Sequence, residues 1–108
     1  MRRGQRYLLL RISGFSGSPE ETEKALRAEM EKVLGTASLG RTGYVFVRER
    51  EEGRMKGALG RGESIIKGSI GGVSAIRAAI TLLSSLNEKR AKCEVLKTSG
   101  TIKGLLSN

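Results

Sequence analysis

Residues 6–13 read Arg-Tyr-Leu-Leu-Leu-Arg-Ile-Ser, which puts Leu8, Leu10 and Ile12 on one face of an extended chain and Tyr7, Leu9 and Arg11 on the other. The pattern predicts a central or well-covered strand with one apolar side and one mixed side. After a turn over residues 14–17, Ser18 is placed to cap a helix, Pro19 suits its first position and Glu21 completes a capping box. Glu20, Glu21 and Glu23 complement the positive end of that helix. Ala25, Leu26, Met30, Val33 and Leu34 recur at helical spacing, and Gly35 ends the helix.

Alternation returns at residues 44–48, with Val45 and Val47 on one face and Tyr44, Phe46 and Arg48 on the other, a second strand. Residues 49–62 are charged and glycine-rich and predict a connection with a flexible loop at 53–62. A third short strand over residues 64–69 is interrupted by Gly68. From about 72 to 86, Val73, Ile76, Ala79, Ile80, Leu83 and Leu86 define a second amphipathic helix ending near Asn87. Ala91, Cys93 and Val95 then alternate with Lys92, Glu94 and Lys97 as a fourth strand, and residues 101–106 form a short C-terminal helix.

The order strand, helix, strand, strand, helix, strand predicts an α+β, ferredoxin-like split βαβ sandwich. In that fold, both main helices cover one face of an antiparallel sheet and leave the other open. The 108 residues make one domain, 1–108, too small for a deep private catalytic cavity.

Charge narrows the partner. Twenty Lys and Arg against eleven Asp and Glu give +9, which favours a polyanion. Residues 18–34 carry three positive and five negative charges, whereas every other segment is net basic, so the positive field is expected to be one-sided. No apolar run reaches the ~18 residues of a membrane span, and residues 7–10 are too short for a signal-peptide core, so a cytoplasmic protein without a membrane partner is expected. The chain has no histidine and a single cysteine in phase with Ala91 and Val95, which removes the usual zinc ligands and acid/base residues. Cys93 reads as a small buried residue, and no catalytic or metal-ligating residue is assigned.

Three constellations remain. The open sheet face is expected to carry Tyr7, Tyr44 and Phe46 with Arg11 and Arg48, either to stack RNA bases or to meet a protein partner. Two G-x-x-G strings, 57–60 and 68–71, flank a strand and read as flexible turns, and Glu49, Glu51 and Glu52 interleave with arginines as a solvated ribbon. The basic run Lys89, Arg90, Lys92 and Lys97 leads into Ser99-Gly100-Thr101-Ile102-Lys103, where hydroxyls and the N–H groups of a helix start are expected to receive phosphate without base specificity.

These residues carry a family resemblance. Ile65-Ile66-Lys67, the helix 75–83 with its Arg77-Ala78-Ala79-Ile80-Thr81-Leu82-Leu83 core, Asn87 with Lys89-Arg90, and the 99–103 pentad together resemble archaeal ribonuclease P protein component 2, a Pop-five-like family. Arg6-Tyr7-Leu8 and Leu34-Gly35-Thr36-Ala37 are similar to the same family's opening and middle, so the resemblance covers nearly the whole chain. It implies a non-catalytic subunit of the ribonucleoprotein endonuclease that removes 5′ leaders from precursor tRNA, with the RNA subunit cleaving through bound magnesium and no cofactor on this chain. It further implies a partner, ribonuclease P protein component 3, in a heterotetramer of two pairs, with precursor tRNA contacted indirectly. The expected RNA-neutralising set is Arg3, Arg6, Arg48, Lys67, Lys89, Arg90, Lys97 and Lys103, with Ser99 and Thr101 at the helix start. Two other readings stand beside it: a generic RRM-like or ribosomal RNA binder, and a ferredoxin-like small-molecule regulatory domain, which gains nothing from the charge.

Overall fold

A computed structural model of the chain describes residues 4–47, 62–86 and 88–106. In chain order these form β1 (Gln5–Ser13), α1 (Pro19–Leu34), α2 (Thr36–Arg41), β2 (Val45–Val47), β3 (Glu63–Ser69), α3 (Val73–Leu82), β4 (Ser85–Leu86), β5 (Lys89–Arg90), β6 (Lys92–Ser99) and α4 (Ile102–Leu106). The main sheet has the order β2-β3-β1-β6 with antiparallel neighbours, so β1 is central, as its double-sided pattern requires. This is the ferredoxin-like sandwich, with α1 and α3 on one face. Residues 53–61 of the expected flexible loop lie outside the described residues.

α1 forms where its caps dictate. The Ser18 N–H donates to Glu21 Oε1 at 2.7 Å and the Glu21 N–H donates to Ser18 Oγ at 3.1 Å, so both halves of the capping box are made. Gly35 ends the helix at φ 83°, its N–H donating to the Glu31 carbonyl at 2.7 Å. Ala25, Leu26 and Met30 are buried, but Val33 at the last turn stays exposed. The short α2 follows at once and anchors itself with the fully buried Leu39. At six residues it is too short to show a helical period.

Two expectations about the second half are corrected. Gly68 does not interrupt β3: it pairs with Arg6 inside the ladder, and a Cβ there would lie 2.7 Å from Ile76 Cδ1. The missing side chain lets α3 settle onto the sheet. α3 ends at Leu82, four residues before the predicted end, because Leu83 turns extended and the Ala91 N–H takes the Ser84 carbonyl at 3.1 Å. Leu86 is fully buried as its periodicity demanded, yet it enters the core from β4 of a two-stranded hairpin and not from a helix.

The core is double. Leu8, Leu10 and Ile12 of β1, Ile66, Phe46 and the inward residues of α1 and α3 form the larger cluster between sheet and helices. On the opposite face a smaller cluster joins Val47 and Ile65 to Ile102 and Leu105 of α4, with Tyr7, Leu9 and Leu106 packed around it. That face is therefore partly covered, and the expectation of a fully open sheet is corrected: three apolar residues in the last helix have nowhere else to bury.

Candidate nucleic-acid interface

Strand register defines the face that α4 lies on. One row runs Val45, Lys67, Tyr7, Ser99, and the next runs Val47, Ile65, Leu9, Lys97. A third contains Glu63, Arg11 and Glu94, with an Arg11–Glu63 ion pair at 3.4 Å. α4 caps the second row, leaving Ile65 at 0% exposure and Tyr7 half-buried beside Lys67.

Tyr44 and Phe46 are not on this face, which corrects the expected aromatic platform. Phe46 pairs with Ile66, which pairs with Leu8, so Phe46 shares the helix-side phase of Leu8. Exposures of 9% for Tyr44 and 8% for Phe46 place both in the larger core. Alternation within three residues tells which side chains share a face but not which face is inward. Tyr7 alone of the three aromatics remains on the α4 side.

The 99–103 turn is also corrected. The Thr101 N–H donates to Ser99 Oγ at 3.2 Å, and the Gly104 N–H donates to Thr101 Oγ1 at 2.9 Å. The two hydroxyls cap the helix start from within, so two of the N–H donors in this turn, those of Thr101 and Gly104, are already taken. Lys103 stands exposed on α4, and the Arg6 guanidinium lies over Gly100, where a Cβ would meet Nη1 at 2.9 Å.

Lys89 and Arg90 are exposed on β5 of the hairpin, at the other end of the sheet. Ser13 pairs with Lys92 and Tyr7 with Ser99, so the hairpin end and the Ser99 end are six residues of β1 apart, about 20 Å at ~3.3 Å per residue. The hairpin is seated against the β1–α1 turn: Gly14 has φ 86°, and a Cβ on it would approach the Arg90 carbonyl oxygen to 2.8 Å. Arg3 and Arg48 lie outside the described residues. The sequence-predicted cations are thus split: Lys67 and Lys97 lie on the α4 face, whereas Lys89 and Arg90 belong to the hairpin beside Gly14.

The charge distribution is one-sided among the described residues. The α4 face and its helix carry Arg11, Lys67, Lys92, Lys97 and Lys103 against Glu63 and Glu94, whereas α1 on the opposite side carries five glutamates against three cations. A face of this sign suits a polyanion, which it would meet through charge and not through base edges.

A sequence model of the Rpp14/Pop5 family matches residues 6–107. The chain belongs to the Rpp14/Pop5 family. It is thereby a ribonuclease P/MRP-type protein subunit, part of an endoribonuclease ribonucleoprotein. Among solved structures, it is similar to a chain in the cryo-EM structure of yeast ribonuclease MRP, with a TM-score of 0.69 and 14% identity, over 94% of this chain and 77% of that one. At that identity the likeness bears on the fold. No protein with a curated description matches.

In this Rpp14/Pop5 chain two buried groups titrate abnormally, and neither is on the basic face. Burial pushes the Cys93 thiol up to about 11, which keeps it protonated and unreactive at neutral pH. Burial, with a smaller contribution from Glu23, raises the Tyr44 phenol well above its usual value, opposed by Arg27, whose guanidinium sits 5.7 Å from the ring centroid. The Tyr44 hydroxyl has no hydrogen-bond partner among the described residues. No described helix is long and apolar enough to cross a membrane.

Proposed function

We propose that this chain is the RNA-holding, non-catalytic subunit of a ribonuclease P, supporting its RNA in removing 5′ leaders from precursor tRNA. The family match over residues 6–107 carries the reading. Arg3, Arg6, Arg48, Lys67, Lys89, Arg90, Lys97 and Lys103 neutralise phosphates, while Ser99 and Thr101 act indirectly by fixing α4. Phosphate contact is favoured over base stacking because α4 occupies the row where stacking would occur and only Tyr7 remains beside it. The partner protein is ribonuclease P protein component 3, in two pairs, and the particle works in the cytoplasm of an archaeon.

Magnesium belongs to the RNA subunit in this reading. Protein cations replace part of the diffuse ion atmosphere around folded RNA, so the subunit lowers the magnesium needed for activity. The test is reconstitution of ribonuclease P RNA with the remaining proteins at low magnesium, with and without this chain. Precursor tRNA cleavage is expected to fall sharply when it is omitted. Equal cleavage in both reactions overturns the reading.

A further inference from the structure

We propose that the chain grips its RNA at two separate places, with the β4–β5 hairpin as one contact and the Lys67–Lys103 end of the α4 face as the other. This rests on the RNA-holding reading above and adds a geometry to it.

The hairpin has the construction of a rooted probe. Its base is fixed on three sides: Leu86 is fully buried, Ala91 is buried with its N–H on the Ser84 carbonyl, and the Arg90 backbone presses on Gly14. Its tip does the opposite. Glu88, Lys89 and Arg90 are exposed, and Glu88 adopts φ 67°, a left-handed conformation that a glutamate enters only at an energetic cost. The buried root places the exposed Lys89 and Arg90 beside Gly14, unlike lysines scattered on a helix.

The second contact is independent of the first. Lys67 lies in the Tyr7 row, Ser99 ends β6 in that same row, and α4 with Lys103 departs from there. The ~20 Å between the ends far exceeds the reach of one lysine or arginine side chain, so no single phosphate serves both. Between them, β6 carries a bulge at the Leu9/Leu10 register shift, which bends this edge strand and interrupts a straight row of side chains. The ligand at each end is the RNA backbone, recognised by charge and spacing and not by sequence.

The experiment compares particles reconstituted on transcribed ribonuclease P RNA with wild-type chain, with Lys89→Ala/Arg90→Ala, or with Lys67→Ala/Lys103→Ala. Hydroxyl-radical footprints and the salt dependence of RNA affinity are read. Wild type is expected to protect two RNA patches for each copy of the chain in the particle. Each double variant should lose one patch of every such pair, keep the other and lower the log–log salt slope by about 1.5 to 2 per copy. Gly14→Ala retains every cation but displaces the hairpin root, and should lose only the hairpin patch. The surface variants are expected to melt like wild type, so they decide the matter even if Gly14→Ala is unstable. One patch weakened equally by both double variants overturns the two-point grip while leaving the RNA-holding reading intact. Loss of a protein partner with both patches unchanged also overturns it, by assigning the hairpin to protein. A wild-type chain that leaves the footprint and RNA affinity unaltered overturns the underlying reading as well.

Discussion

Tyr44 shows how a single residue departs from its expected use. A phenol on an RNA-facing sheet would lose affinity when truncated. Here the ring is core and its hydroxyl lacks a partner among the described residues, so removing the oxygen relieves a buried unsatisfied group. Tyr44→Phe is therefore expected to leave RNA affinity unchanged and to hold or raise stability, by up to about 1 kcal/mol in urea unfolding. A loss of RNA affinity with the fold intact would return Tyr44 to the interface. Cys93 makes a pH-dependent contribution. Its folded value of about 11 lies above its ordinary 9.0, so below pH 9 both states hold the proton and stability is complete. Above 9 the unfolded thiol ionises while the folded one cannot, and stability falls through pH 11 by about 2 to 3 kcal/mol at ~1.4 kcal/mol per unit. Cys93→Ala should remove this alkaline component, and a difference curve flat from pH 8 to 11 would contradict the assignment.

At the scale of elements, α4 is the part whose role changed most. Its five residues are too few for independent helical stability, and it exists because Ile102, Leu105 and Leu106 bury on β1, β2 and β3 while Thr101 caps it. Leu105→Ala is expected to cost about 2 to 4 kcal/mol in urea melts, since this residue is 2% exposed and closes the smaller core. A loss below about 0.5 kcal/mol would show that α4 merely rests on the surface. α1 illustrates the opposite case. Its start, capping box and end were all legible in residues 18–35, because each is a contact between residues no more than four apart. The end of α3 was not legible. The 72–86 apolar period is satisfied equally by a helix or by a shorter helix followed by a hairpin that brings Leu86 inward. The hairpin won because β5 pairs back on β4 and the Ala91 N–H just after it donates to the Ser84 carbonyl, and the Asn87-Glu88 pair between two short strands was the available sign of it.

For the whole molecule, the separation of charge matters more than its total. If net charge alone held RNA, removing any two lysines would weaken the salt dependence equally. A one-sided field predicts a difference: Lys67→Ala/Lys103→Ala should reduce the salt slope by about 1.5 to 2, while Lys24→Ala/Lys32→Ala on α1 leaves it near the wild-type value. Equal reductions from the two pairs would remove the asymmetry as a cause. The amino-acid order by itself determined the split βαβ succession, the two faces of β1, the capped α1 and the basic excess, which follow from local periodicity, capping chemistry and composition, and its motifs carried the family resemblance. Only tertiary structure decided which face of β2 is inward, where α3 stops, that α4 covers one sheet row, and that Lys89 and Arg90 sit at the opposite end of β1 from Lys67 and Lys103. Those outcomes depend on strand register and on contacts between residues far apart in the chain, where alternation fixes what shares a face while pairing with β3 chooses the face that water leaves.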